Sequence, residues 1–266
     1  MTWFLPAMAA ALGAIVGSFL NVVIHRYPRE ESIVFPPSKC PECGTPIKPY
    51  DNVPILGYLW LLGRCRACRS PISARYPLIE LANSLFYLAI FLRTGPTWGF
   101  LPVAALVSMT ICLIYIDLEI QILPDVIDLP GVAIGLLVGA TQMGALYPDL
   151  LLSSSLLESV IGAAAGSGVL LAIALAYKLI RKVEGMGLGD VKMMAMLGAV
   201  VGWEPLFPLL VIASVTGAIT GLFLAMKSKQ GMKVAVPFGV FLGLAFLIVV
   251  FFGPTLWRWY LALLLR

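Results

Sequence analysis

Residues 3–24, WFLPAMAAALGAIVGSFLNVVI, run for 22 positions without a charged side chain. About 20 apolar residues in a helix, each rising about 1.5 Å, cross the roughly 30 Å hydrocarbon core of a bilayer. The stretch begins without a basic n-region, so it reads as a retained transmembrane span and not as a cleaved signal. Outward from it, comparable apolar stretches occupy 76–92, 98–117, 126–147, 156–178, 190–203, 205–226 and 235–257, which makes eight candidate spans. The stretch at 190–203 is the shortest and runs into Trp203, an interfacial residue type, and Pro205, a helix-starting one. Composition agrees: 60% of residues are hydrophobic and 12% charged, against about 25% charged in soluble domains. The expected fold class is therefore all-α, a polytopic membrane helix bundle. The bilayer is its first partner, and no nucleic-acid partner is expected.

Lys and Arg collect on the cytoplasmic side of membrane proteins. Arg26, Arg29, Lys39, Lys48, Arg64, Arg66, Arg69 and Arg75 share the first loop. Lys178, Arg181, Lys182 and Lys192 flank the fifth-to-sixth connection, and Lys227, Lys229 and Lys233 fill the seventh-to-eighth. Fifteen of the eighteen basic residues thus obey one orientation, leaving Arg93, Arg258 and Arg266 opposite. Both termini are then expected outside, with the odd-numbered loops in the cytoplasm. The chain divides into a first span (1–25), a cytoplasmic loop module (26–75) and a membrane bundle (76–266).

The loop module carries two C-x-x-C pairs, CPEC (Cys40, Cys43) and CRAC (Cys65, Cys68). In a reducing compartment disulfides rarely persist, and four thiolates in two tight turns suit tetrahedral zinc. A gap of 21 residues separates the pairs; redox or free thiols are the alternative reading. A loop this poor in core hydrophobes would draw its fold from the ion, and a closed shell of four ligands makes that zinc structural. Cys112, alone in an apolar span, reads as packing.

The catalytic menu is short. His25 is the only histidine, so a two-histidine zincin motif is absent, as is any G-x-S-x-G elbow. Ser18 lies seven residues from His25, with no orienting carboxylate placed beside them. Carboxylates remain. YIDLEIQILPDVIDLP (115–130) gathers Asp117, Glu119, Asp125 and Asp128 after the third span, and GMGLGD (185–190) sets Asp190 behind spaced glycines at the start of the sixth. Both fall on the expected cytoplasmic face. Two carboxylates that converge can share a proton, one acting as base on a water while the other hydrogen-bonds a substrate carbonyl. The glycines would permit close backbone approach, or serve as a linker or helix-packing surface. Asp125 is expected to cap the fourth span, substrate contact being the alternative. Asn21, Glu80 and Asn83 are expected to bond across helices, Glu80 being a further site hypothesis because it is ionisable within a span.

Taken in order, GSFLNVVIHR (17–26), CPEC, CRAC, RYPLIEL (75–81), DLEIQILPD (117–125), GMGLGD, LGAVVGW (197–203) and VPFGVFLG (236–243) resemble the bacterial type IV prepilin peptidases, membrane aspartic proteases of the GxGD class, along nearly the whole chain. The resemblance implies a multi-pass protein of the bacterial inner membrane whose active site faces the cytoplasm. It implies that Asp117 and Asp190 are the catalytic pair and that Cys40, Cys43, Cys65 and Cys68 form the zinc quartet of the bifunctional long form. The implied substrates are prepilins or pseudopilins, whose leader is removed and whose new amino terminus is methylated from S-adenosylmethionine. No S-adenosylmethionine fingerprint stands in the sequence, so methylation rests on the resemblance. Two positions are set apart in the comparison: Glu119, where family members often have a further acid, is not expected to be a catalyst, and Val240 stands where proline is common. The rival readings are a transporter or assembly scaffold with a zinc docking module, its carboxylates a proton relay, and a preflagellin-type GxGD protease.

Overall fold

The structure, a computed structural model, describes residues 3–183, 186–227 and 236–264, the side chains of 256–264 excepted. Gly185 of the glycine motif, and Lys229, Lys233 and Arg266 of the charge pattern, lie outside the described residues. Among the described residues ten α-helices follow in order: α1 (Phe4–Arg26), α2 (Leu56–Trp60), α3 (Arg75–Thr94), α4 (Phe100–Ile120), α5 (Asp125–Ala140), α6 (Met143–Leu146), α7 (Leu156–Arg181), α8 (Leu188–Val201), α9 (Leu206–Lys227) and α10 (Phe238–Leu264). No strand occurs among the described residues, so the all-α expectation holds. The chain forms two compact units, Met1–Cys112 and Leu113–Arg266.

In the first unit α1 and α3 run antiparallel with their backbones nearly touching. A Cβ on Gly13 would lie 2.7 Å from that of Tyr87, and one on Gly17 would lie 2.7 Å from the Glu80 Cα. At that separation side chains reach the opposite backbone. Asn83 donates to the Gly13 carbonyl (2.7 Å), Ser84 to that of Ala10 (2.8 Å) and Asn21 to that of Tyr76 (3.1 Å). Ser108 of α4 joins them, donating to Asn83 Oδ1 and bonding the Tyr87 hydroxyl, each at 3.0 Å. Small residues plus polar groups satisfied across helices are how apolar helices associate where burial alone offers no preference. The expected helix-bonding roles of Asn21 and Asn83 are thus met. Cys112 is buried and unpaired, as expected of packing.

The second unit is built around α8. Met193, Met194, Met196, Leu197 and Ala199 are all fully buried, as befits a helix that is apolar all round. Facing glycines let α7 cross it: a Cβ on Gly162 would strike the Gly198 carbonyl, and one on Gly198 the Gly162 carbonyl. Gly135 brings α5 against Ala199 in the same way, at 2.7 Å.

Five described helices are long and apolar enough to cross a membrane: α1 with its extension to Arg29, α4, α7, α9, and α10 as far as Thr255. The other three expected spans fall short for physical reasons. α3 carries Arg75, Glu80 and Arg93, while α5 and α8 have 16 and 14 residues, about 24 and 21 Å at 1.5 Å per residue. For α8, burial by its neighbours explains the apolar sequence without a crossing. α9 begins at Leu206, just after Pro205.

Candidate active site and metal centre

Asp117 lies near the C-terminal end of α4 and is 4% exposed. One of its oxygens accepts the Val240 amide at 3.1 Å, and the Gly239 amide also faces the carboxylate. Those donors belong to the first turn of α10, whose leading N–H groups have no partner within the helix and carry the positive end of its dipole. Gly239 is required there, because a Cβ would come 2.9 Å from Asp117 Oδ2 and 3.0 Å from Leu123. VPFGVFLG is thereby explained as a helix start whose first amides face the Asp117 carboxyl. Val240 supplies an N–H that proline at this position could not.

Asp190 occupies the first turn of α8, where an acidic group complements the dipole. It is half-buried, lies against the Gly187 backbone amide and feels the charge of Asp117. Leu123, in the turn between α4 and α5, links the two halves. A Cβ on Gly189 would meet its side chain at 2.9 Å, just as one on Gly239 would. The glycine before each contact, one beside Asp190 and one at the amides that hold Asp117, therefore lets α8 and α10 close on the same leucine. Packing is the role of Gly189, one of the alternatives open in the sequence, and Gly187 is the extended N-cap of α8.

Two further acids surround the pair. Asp125 does not cap α5, contrary to expectation: Pro124 is the N-cap, and no side chain bonds there. Instead both Asp125 oxygens accept from Lys192 at 2.7 Å, an exposed ion pair linking the starts of α5 and α8. Asp128, singled out in the sequence only as one of four neighbouring acids, is fully buried, and neither of its oxygens has a hydrogen-bond partner among the described residues. It stands within electrostatic reach of Asp125, Lys192 and Asp190. Glu119 is on the exposed side of α4.

The four cysteines of the first unit converge. Their sulfurs all lie within 4.8 Å of one another, and Cys40 and Cys68 are 3.9 Å apart. A tetrahedron with about 2.3 Å zinc–sulfur bonds has edges of about 3.8 Å, so the set fits zinc. The two knuckles repeat one geometry. Cys40 N–H donates to Thr45 O and Gly44 N–H to Cys40 O; Cys65 N–H donates to Ser70 O and Arg69 N–H to Cys65 O. An antiparallel bridge closes each, Lys39 to Pro46 and Arg64 to Pro71. The residue after each second cysteine is left-handed, Gly44 at φ 69° and Arg69 at φ 62°. The Cys43 backbone amide bears on the Cys40 sulfur and lowers its thiol to about 6, while the Ser70 hydroxyl lowers Cys68. All four are placed where they could hold one ion, and thiolates are the form that binds metal.

Glu80 is 8% exposed and reaches out of α3 to accept the Ile55 amide at 2.7 Å. It therefore ties the cysteine-bearing loop to the helix pair of its own unit. His25 closes the last turn of α1, in keeping with a boundary residue.

Two family models match the chain: the bacterial peptidase A24 N-terminal domain over residues 11–94 and the type IV leader peptidase family over residues 104–222. Proteins called prepilin leader peptidase/N-methyltransferase are similar along almost all of it. That of Aeromonas hydrophila is 36% identical, covering 98% of this chain and 95% of its own. Those of Burkholderia pseudomallei strain 1026b (37%; 93% and 85%) and Pseudomonas putida (36%; 94% and 91%) agree. No solved structure matches the chain.

Proposed function

The chain belongs to the type IV leader peptidase family, and from that membership we propose that it is a membrane aspartic endopeptidase that removes the leader of prepilins or pseudopilins and then methylates the new amino terminus. The observation that carries the peptidase reading is that Asp117 is held at the start of α10 and Asp190 stands at the start of α8, two helices that close on the same Leu123, with Asp190 in reach of the Asp117 charge. One carboxylate takes a proton from water, which attacks the peptide carbonyl. Its partner holds a proton for the carbonyl oxygen, and collapse of the tetrahedral intermediate hands a proton to the leaving amine. Amides at the two helix starts fix the carboxylates without consuming a side chain.

Residues 26–75 act as a structural zinc module with Cys40, Cys43, Cys65 and Cys68 as ligands, and the ion takes no part in hydrolysis. S-adenosylmethionine is the methyl donor consumed in the second reaction, the amine losing a proton as the methyl arrives. The active site faces the cytoplasm, the side on which the first-loop charges are expected to stay. An uncoupled proton relay, the transporter reading, has no such call for backbone amides aimed at one carboxylate.

The test uses purified protein in lipid with a synthetic prepilin and labelled S-adenosylmethionine. Leader release followed by label at the mature amino terminus is the expected result. Release without label contradicts the second activity, and proton flux without release contradicts the first.

A further inference from the structure

We propose that the segment Leu56–Leu62 of the cysteine module is an interfacial membrane anchor, lying in the leaflet on the module's side with Arg64 and Arg69 at the lipid phosphates. The proposal rests on the membrane-spanning reading of α1 and is independent of the catalytic assignment.

Depth is the first argument. The Glu80–Ile55 hydrogen bond fixes the start of this segment beside α3 at the position of Glu80, five residues inside the helix. Because α1 and α3 are antiparallel and Gly17 sits against Glu80, that level is also nine residues inside the end of α1 at Arg26. At 1.5 Å per residue the Glu80 backbone lies about 8 Å inside the end of α3 and about 13 Å inside that of α1, and Ile55 is held one glutamate side chain away from it. A segment held there lies among headgroups and upper acyl chains, not in bulk water.

The side chains suit that place. Leu56, Leu59 and Trp60 of α2 are 52, 58 and 48% exposed, and Leu62 is 84% exposed. Leu62 adopts φ 52°, a conformation disfavoured for a branched side chain, in the turn that ends α2. The turn directs it outward, and no burial within the protein compensates. Trp beside Leu on a short amphipathic element is the composition of helices that rest in the interface.

Charge selects lipid as the occupant. Residues 26–75 hold eight basic and four acidic groups. Arg66 is neutralised by a two-point ion pair with Asp51 (2.6 and 2.7 Å), whereas Arg64 and Arg69 follow the apolar turn, exposed to solvent. An apolar strip followed by free guanidinium groups matches an anionic leaflet.

The experiment embeds the full-length protein in nanodiscs and compares it with Trp60→Phe, zinc content serving as the check that both are folded. The difference in emission isolates one indole of six. It is expected to be blue-shifted and to lose most of its intensity when the lipids are brominated near the carbonyl end of the chain. Leu62→Asp is expected to reduce that quenching, and anionic lipid to deepen it relative to zwitterionic lipid. Quenching by aqueous iodide in place of bromolipid overturns the proposal. Protection from both quenchers also overturns it, since the strip would then be covered by protein, a second copy if protection follows the protein-to-lipid ratio. Equal quenching in both lipids removes the arginines from the account.

Discussion

The cysteine module and the aspartate site both gather ionisable side chains out of an apolar chain, but they do so at different ranges. Each cysteine knuckle closes on itself: amides within five residues bond back to the loop, and only the meeting of two knuckles is long-range. The aspartates are 73 positions apart, and the amides that hold Asp117 come from α10, 123 positions away. Local chemistry builds the first site and helix packing the second. Losing a ligand should therefore unfold the one, whereas losing a packing glycine should disorganise the other.

The largest effect is expected from Cys40→Ser. Structural zinc sites contribute on the order of 10 kcal/mol to folding, so bound zinc should fall to near zero; equal zinc in variant and parent would merge the two classes of site. Next comes Gly198→Val, which drives a side chain into the Gly162 carbonyl. Overpacking costs about 1–3 kcal/mol, read as a lowered thermal midpoint in detergent with zinc retained. An unchanged midpoint would show that the α7–α8 crossing is not tight.

The pH dependence separates the sites further. The Cys40 thiol falls from 9.0 to about 6 in the folded chain. A depressed value means that the thiolate's contribution to stability is complete above about 9 and is lost as pH falls through about 6. Zinc affinity measured by chelator competition should weaken through that window, and a constant affinity between neutral pH and pH 5 would contradict it. The smallest effect is expected from Val240→Pro, which removes one amide donor from Asp117 while leaving a helix start that tolerates proline. Cleavage should slow by less than about tenfold, the equivalent of 1.4 kcal/mol; complete loss would mean that this donor outweighs its neighbours.

What the sequence made legible follows the same division. C-x-x-C spacing is a local signal, and the four sulfurs it marks come together in the fold. Apolar length delivered the helices but overcounted crossings, since a helix buried in protein and one buried in lipid look alike, as α8 shows. Ordered motifs single out Asp117 and Asp190 as the proposed pair, whereas the amides of Gly239 and Val240 were not legible, because a backbone donor leaves no side-chain trace. Asp125 misled for a related reason. A carboxylate at a helix start resembles a cap, and only the fold reveals Lys192 opposite. Nothing local distinguished Asp128 from its acidic neighbours, although its oxygens have no hydrogen-bond partner among the described residues.

The central claim is that Asp117 and Asp190 act as one unit on one water. It is tested most directly by leader cleavage with purified Asp117→Asn, Asp190→Asn and the double variant in lipid, at matched helix and zinc content. Each single change should lower the rate by about a hundredfold to ten-thousandfold, and the double change should lower it no further. Normal cleavage by either single variant, or losses that multiply in the double, would contradict the account.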